Sequence, residues 1–489
     1  MTGAEVVAKQ REFVFPAVTH YYAEPLVPVR AEGLYVHAAD GRRYLDFFGG
    51  ILTVSVGHCH PKVLEKTMEQ MKRLQHLSTL YPQEPMVALA EKIAGLAPQQ
   101  KPEGGRLSPT EGAGARGASE DPRPQKLEGG RLSPTEGAGA RGASEDRRPK
   151  AEDRTGPPIR WKSFFTSSGT EANEMAVMTA KLATGTTDMI ALRHSYGGRA
   201  TLAINMMGHA GYRVMPSQLP GIKHAHAPYC YRCDFGLSYP DCGLRCAKDV
   251  ETLIQTETNG KVACLIAEPV MGVGGFITPP KEYFQEVVPI VRKYGGLFIA
   301  DEVQTGWGRT GGRWNGIEHF GVVPDVLTYA KGLANGAPIG VTLARAEVAD
   351  QFKALTIATF GGNPVSMAAG LATIGVIEEE KLLANCETVG AQLRGRLVEL
   401  AEKYPAIGDV RGLGLMQAIE LVKDRQSKEP DAAVTGRFLE ACRREGLLVG
   451  KGGLYGNAVR IAPPMTATKG DVDEAAKLMD RALASAVRA

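Results

Sequence analysis

No apolar run in this 489-residue chain is long enough to span a membrane. Its opening stretch, MTGAEVVAKQREFVFPAVTHYY, has no basic start followed by an apolar middle and a small-residue cleavage site. Membrane insertion and export are therefore not expected, and the chain reads as a soluble cytoplasmic protein. Charge of one sign is lacking too. The 57 basic and 54 acidic residues leave +3, and no basic stripe interleaved with aromatics is present to follow a phosphate backbone, so nucleic acid is not an expected partner. Cysteine is sparse: 8 residues are too few for a disulfide scaffold at this length.

What is there suits a large globular protein. A chain of 489 residues exceeds what one core normally serves, and 43% hydrophobic with 23% charged residues is ordinary usage, so two or more domains are expected. Cys59, Cys264, Cys386 and Cys442 stand alone and are expected to be small buried hydrophobes. Cys230, Cys233, Cys242 and Cys246 cluster in CYRCDFGLSYPDCGLRC, with two, eight and three residues between them. That spacing suits a structural thiolate site for a metal, but reduced packing cysteines are the preferred reading and no metal is assigned.

One stretch fits no core. From Pro98 to about Pro158 the chain is rich in Gly, Pro, Ser, Arg and Glu, and the 19 residues EGGRLSPTEGAGARGASED occur at 103–121 and again at 128–146. Each copy offers one Leu and no aromatic, so it cannot stack as a solenoid unit or offset its own ordering entropy. Residues 99–156 are expected to form a disordered surface insertion, tolerated because closure entropy grows only slowly with loop length.

The remainder alternates as α/β. KSFFTSSG, DMIALRH, VACLIAEP, GGLFIADEV and PDVLTYAKG read as short apolar strands separated by helical patterns such as PKEYFQEVVPIVRKYGG. After Thr170, Ala172, Met175, Ala176, Ala180 and Ala183 recur at helical period. In such layers ligands sit at the carboxyl ends of the strands, which here carry Asp301 with Glu302, Lys331, Glu268 and the TSSGT turn. Ser168, Gly169 and Thr170 stand where a strand becomes a helix, so hydroxyls, backbone N–H groups and the helix dipole form a phosphate cup. Lys331, among small residues in YAKGLANG, is placed to be desolvated into a neutral amine. A phosphate cup, a buried amine and a carboxylate together match pyridoxal 5'-phosphate, which needs an anchor, an aldehyde partner and an acid at its pyridine nitrogen.

The motifs GLYVHAADGRRYLDFFGGILTVSVGHCHPKV, FFTSSGTEANEMA, LIAEPVMGVGG, GGLFIADEVQTGWGRTG, PDVLTYAKGLANGAPIG, TFGGNP and GDVRGLGLMQAIEL occur in that order. By them the chain resembles the class III pyridoxal-phosphate aminotransferases of fold type I. It is most similar to the branch containing the second type of alanine:glyoxylate aminotransferase. The resemblance implies a large cofactor domain with a mainly parallel sheet between helices, over residues 60–340. It implies a smaller α+β domain formed by residues 1–59 and 341–489.

Residue by residue, the resemblance implies that Lys331 forms the Schiff base and shuttles the proton while Asp301 pairs with the pyridine nitrogen. Tyr196 and Val303 would cover the two ring faces, Gln304 would reach the ring hydroxyl, and Ser168, Gly169 and Thr170 would hold the phosphate. Thr359 would bind the phosphate of the neighbouring subunit's cofactor, which makes a homodimer, or a dimer of dimers, part of the site. Arg411 would clamp a substrate carboxylate. Where many relatives have Tyr-His-Gly, this chain has Tyr196, Gly197 and Gly198. The implied reaction moves an amino group from an amino-acid or ω-amine donor to a 2-oxo acid such as pyruvate or glyoxylate. Phospho-lyases and aminomutases built on related scaffolds share these motifs and are the alternative. A non-catalytic cofactor-binding protein is a further one, against which the intact Lys331 and Asp301 argue.

Overall fold

Short β-branched and aromatic runs bounded by Gly, Pro and Asp form the strands of the computed structural model, which describes residues 1–99, 158–214 and 219–488. Strands β1 (Pro28–Glu32), β2 (Tyr35–Ala38) and β3 (Arg43–Asp46) come first. They are followed by β4 (Trp161–Thr166), β5 (Met189–Leu192), β6 (Ile222–Ala225), β7 (Cys264–Ala267), β8 (Leu297–Asp301), β9 (Val326–Tyr329) and β10 (Gly340–Arg345). The last third adds β11 (Ile407–Leu413), β12 (Met416–Leu421), β13 (Leu447–Leu448), β14 (Gly450–Gly452) and β15 (Ala458–Ile461).

β4 to β10 make a seven-stranded sheet in the order β4-β10-β9-β8-β7-β5-β6, in which only β10 runs antiparallel to its neighbours. Every residue of β5, β7 and β9 is buried, as expected of parallel strands covered on both faces. All five strands read from the sequence lie in this sheet, and the helical face after Thr170 is the buried side of the helix Gly169–Thr184. β10 lies beyond residue 340, so the sheet runs past the point where the large domain was expected to end. A four-stranded sheet, β1-β2-β3-β13, joins the N-terminal segment to the C-terminal third, and β11-β12-β15-β14 form another. Residues 1–98 and 159–489 make one compact unit.

The insertion expected at 99–156 lies, apart from Gln99, outside the described residues. No helix among the described residues is long and apolar enough to cross a membrane. Cys264, Cys386 and Cys442 are buried as expected, whereas Cys59 is exposed, on a turn with φ of +52°. Cys230, Cys233, Cys242 and Cys246 are unpaired, and among the described residues no three His, Cys, Asp or Glu side chains are arranged to hold a metal ion. Burial together with the neighbouring thiols pushes Cys246 up to about 12, which leaves it a protonated packing group.

Candidate active site

Because β5, β7, β8 and β9 run in one direction, their carboxyl ends open on the same edge of the sheet. Asp301 closes β8 and is buried. Its Oδ2 accepts a hydrogen bond from Asn173 Nδ2 at 2.8 Å, and its Oδ1 accepts one from the Val303 N–H at 3.1 Å. Asn173 also donates to the Gly197 carbonyl at 3.0 Å, so the helix Gly169–Thr184 orients the carboxylate from one side. Burial pushes the Asp301 carboxyl above its ordinary value, against the hydrogen bond from Asn173.

Lys331 follows β9 and is held in the left-handed region with φ of +44°. Strained backbone of this kind persists only where the surroundings over-determine it. Among the described residues its Nζ has no hydrogen-bond or ion-pair partner. Burial and the nearby Arg460 guanidinium pull its pKa down, opposed by Asp301 and Glu268. The structure thus sets an available amine beside two carboxylates. Glu268, just past β7, is buried and accepts from the Tyr196 N–H at 3.1 Å and the Gly272 N–H at 2.7 Å. Burial, then the charge of Asp301, raises its pKa.

Ser168 caps the helix Gly169–Thr184, its hydroxyl accepting from the Glu171 N–H at 3.3 Å. A Cβ built on Gly169 would lie 3.1 Å from both Val303 methyl groups and 3.4 Å from Ala330. The first helical turn therefore sits directly against the ends of β8 and β9, and a glycine is needed there for the approach. Thr170 Oγ1 accepts from the Arg199 N–H at 3.4 Å, which ties the loop after Tyr196 to the same turn. Gln304 is buried with its amide against Gly272, and among the described residues its Oε1 has no hydrogen-bond partner.

These residues fit pyridoxal phosphate on structural grounds. They supply an unpartnered lysine amine, a helix N-terminus with hydroxyls, a fixed carboxylate and two orphaned buried amide oxygens, Asn173 Oδ1 and Gln304 Oε1. Lys331, Asp301, Ser168, Gly169, Thr170, Val303 and Gln304 come together here, with Tyr196 alongside through Glu268. Thr359 stands apart, exposed in the loop between the short helix Ala346–Ala349 and the helix Pro364–Glu379.

Arg411 is used elsewhere. Its Nε donates to the Gly275 carbonyl at 2.8 Å, while Nη1 donates to Asp409 Oδ2 at 2.7 Å and Glu420 Oε2 at 2.6 Å. Only Nη2 is left, so the two-pronged carboxylate clamp expected of it is not available. It lines a cavity of about 860 Å³ with Tyr229, Asp409 and Gln417, a cavity whose walls do not include Lys331 or Asp301.

The cation that faces the site is Arg460 on β15, 4% exposed, with Nη1 buried and unpartnered. Its Nε donates to the Lys451 carbonyl at 3.1 Å, and its guanidinium lies 4.9 Å from the Phe48 ring centre. Its charge acts on both Lys331 and Glu268. The sequence signal for Arg460 was one charged residue inside the apolar strand AVRIAPP; for Asn173 it was one amide on the buried side of a helix otherwise lined by Ala, Met, Val and Thr.

The Aminotransferase class-III family model matches residues 17–111 and 153–483. The alanine–glyoxylate aminotransferase 2 homolog 2 of Arabidopsis thaliana, a mitochondrial protein, is 38% identical over 97% of this chain and 86% of its own length. A thermostable (S)-enantioselective ω-transaminase from Thermomicrobium roseum superposes with a TM-score of 0.81 at 30% identity, covering 100% of this chain and 99% of that one. An amine transaminase from an uncultivated Pseudomonas species, solved in its PLP-bound form, gives a TM-score of 0.79 at 28% identity, over 97% of this chain and 98% of that one.

Proposed function

The chain belongs to the class III aminotransferases, a family of pyridoxal-phosphate enzymes, and from that premise we propose a division of labour among its residues and a substrate class. It is a transaminase that moves an amino group from an amino-acid or ω-amine donor to a 2-oxo acid, and we assign pyruvate or glyoxylate as the acceptor. The bound cofactor supplies an aldehyde carbon for the amine and a protonated ring that takes up electrons.

Lys331 would hold that group through Nζ and, once released, take and return the substrate proton. Its lowered pKa makes the neutral, nucleophilic form of the amine easier to reach than in an exposed lysine. Asp301 keeps the ring nitrogen protonated, and the burial that raises its pKa is offset by the positive charge of a protonated ring nitrogen beside it. Ser168, Gly169 and Thr170 bind the phosphate; Val303 and Tyr196 bound the ring faces; Gln304 Oε1 meets the ring hydroxyl. Arg460 Nη1 takes the substrate carboxylate in place of Arg411. The observation that carries the reading is the close approach of Gly169 to Val303 and Ala330, which brings the phosphate cup, Asp301 and Lys331 to one point.

Thr359 belongs to a second copy's site in this reading. It stands among the exposed apolar residues Leu355, Ile357 and Phe360, and Phe360 meets His76 beside exposed Leu74, Leu77, Leu80 and Tyr81. An apolar face of that extent suits a homodimer. We place the protein in the cytoplasm. Borohydride reduction of the holoenzyme followed by peptide mapping should find the label on Lys331, and a donor panel should yield alanine from pyruvate or glycine from glyoxylate. Label on another lysine, or amine consumption without an amino-acid product, would overturn the assignment.

A further inference from the structure

The segment between the first helix, Gly3–Phe13, and β1 has no regular structure, yet it is pinned in place. The Ala23 N–H donates to Glu440 Oε1 at 2.7 Å, and Arg443 Nη2 meets Glu24 Oε2 at 3.0 Å. The same Arg443 lies 5.8 Å from the Tyr22 ring centre. Both anchors are on the helix Ala432–Glu445, and together they fix Tyr21, whose ring packs edge-on to Tyr22 at 5.3 Å.

Tyr21 is thereby delivered to the surroundings of Arg460. Its hydroxyl accepts a hydrogen bond from the Lys451 N–H, while the Lys451 carbonyl accepts from Arg460 Nε at 3.1 Å. Its ring stacks on Phe48 with centres 6.2 Å apart and planes at 21°, and Phe48 is the ring under the Arg460 guanidinium at 4.9 Å. Tyr21 and Arg460 are thus linked twice, through the backbone of one residue and through one aromatic ring. The glycines flanking Lys451 make both links possible. A Cβ on Gly450 would collide with the Phe48 ring, and one on Gly452 would lie 3.0 Å from Arg460 Cδ.

We propose that Tyr21 is a positioning residue for Arg460. By holding Lys451 and Phe48 it fixes the direction of the free Nη1, and so sets how strongly the enzyme prefers substrates that carry a carboxylate over amines of the same size that do not. The inference rests on the reading that Arg460 receives the substrate carboxylate. Among the described residues Arg460 makes one hydrogen bond of its own, so its aim depends on what holds that acceptor. A guanidinium recognises a carboxylate through two fixed directions, and loosening it costs affinity before it costs chemistry.

The test compares wild type, Y21F, R460K and the double variant as holoenzymes. Its readouts are KM and kcat for alanine, the inhibition constants of propionate and of neutral propionamide, and the melting temperature. Y21F removes one hydroxyl and keeps the ring. It should raise KM for alanine and Ki for propionate by about five- to tenfold, the worth of roughly one hydrogen bond. It should leave kcat within about twofold and propionamide inhibition unchanged, and its effect should vanish in the R460K background. If R460K weakens propionate and Y21F does not, the positioning role is overturned while the reading of Arg460 stands. If R460K leaves propionate binding unchanged, the reading of Arg460 falls and the inference with it. If Y21F weakens propionate and propionamide equally, Tyr21 is a general wall of the site and the proposal is overturned.

Discussion

The two acids that end β8 are chemically alike and are put to different uses by their neighbours. Asp301 points to Asn173, as the ring-side role proposed for it requires; Glu302, fully buried, turns the other way. Glu302 Oε2 accepts from the Gly316 N–H at 2.9 Å, Oε1 accepts from the Ile317 N–H at 2.7 Å, and the Thr305 hydroxyl donates to Oε2 at 2.5 Å. It is a brace for the glycine-rich loop that carries Val303 and Gln304. Replacing Asn173 by Ala should leave the fold intact but free Asp301 to rotate. Turnover should fall by about tenfold, and by about a thousandfold for Asp301→Asn, which can no longer hold a ring proton. Stopped-flow half-reactions with alanine check both.

Glu302 gives a pH prediction with a definite sign. Burial pushes its carboxyl up to about 7, above its ordinary value near 4.5, so between those values the folded state binds more protons than the unfolded. Stability from this group is complete below about 4.5 and is lost as pH rises toward about 7. Glu302→Gln cannot titrate and loses one acceptor, at a cost of about 1–3 kcal/mol. The variant should be less stable than wild type at low pH, the gap should close as pH rises toward about 7, and its melting temperature should fall less steeply than wild type between pH 5 and 7. An unchanged slope in calorimetry counts against the assignment.

At the scale of elements, the strands and the cofactor crevice were legible because they depend on local pattern. Apolar runs of four to six residues ending in Asp301, Lys331 and Glu268 made β7, β8 and β9, and the Ser168–Gly169–Thr170 turn capped its helix as its residue types require. Arg411 was not legible, because Gly275, which takes its Nε, and the residues that hold its partner Glu420 lie far along the chain. Glu420 sits on β12, paired with β11, and also accepts from the Tyr229 hydroxyl, from Arg232 Nε at 2.6 Å and from Asn457 Nδ2 at 3.2 Å. No periodicity announces that a residue from the cysteine-rich loop will reach a strand almost two hundred positions later. Arg460 and Tyr21 were missed for the same reason. Glu420 joins that loop, β11 and the turn before β15, so Glu420→Ala should unpair Arg232, leave Arg411 with Asp409 alone and destabilise the protein by about 3–5 kcal/mol. Denaturant unfolding of the purified variant measures it; a loss within 0.5 kcal/mol, the ordinary range for a surface site, would show that the network is solvated.

At the scale of the whole molecule, one predicted site residue makes no side-chain hydrogen bond among the described residues of its own chain. Thr359 is exposed, about 30 residues after Lys331 in sequence, in a loop whose apolar neighbours also face outward. If it serves the phosphate site of a second copy, two disabled proteins can repair each other. A Lys331→Ala chain keeps Thr359 but has no amine; a Thr359→Ala chain keeps Lys331 but weakens the phosphate site of its partner. In a mixed dimer the site built on the Thr359→Ala chain has its own Lys331 and the partner subunit's intact Thr359, and is complete; the other site lacks both. Refolding the two variants together should therefore raise the affinity for the cofactor, in about half of the mixed dimer's sites, to the wild-type value. Turnover should recover in step, up to about half of wild type per mixed dimer. If Thr359 instead acts within its own chain, no combination of the two restores a complete site, and the mixture does no better than the sum of its parts. Tagging the two chains differently and isolating the mixed species before titration separates these outcomes.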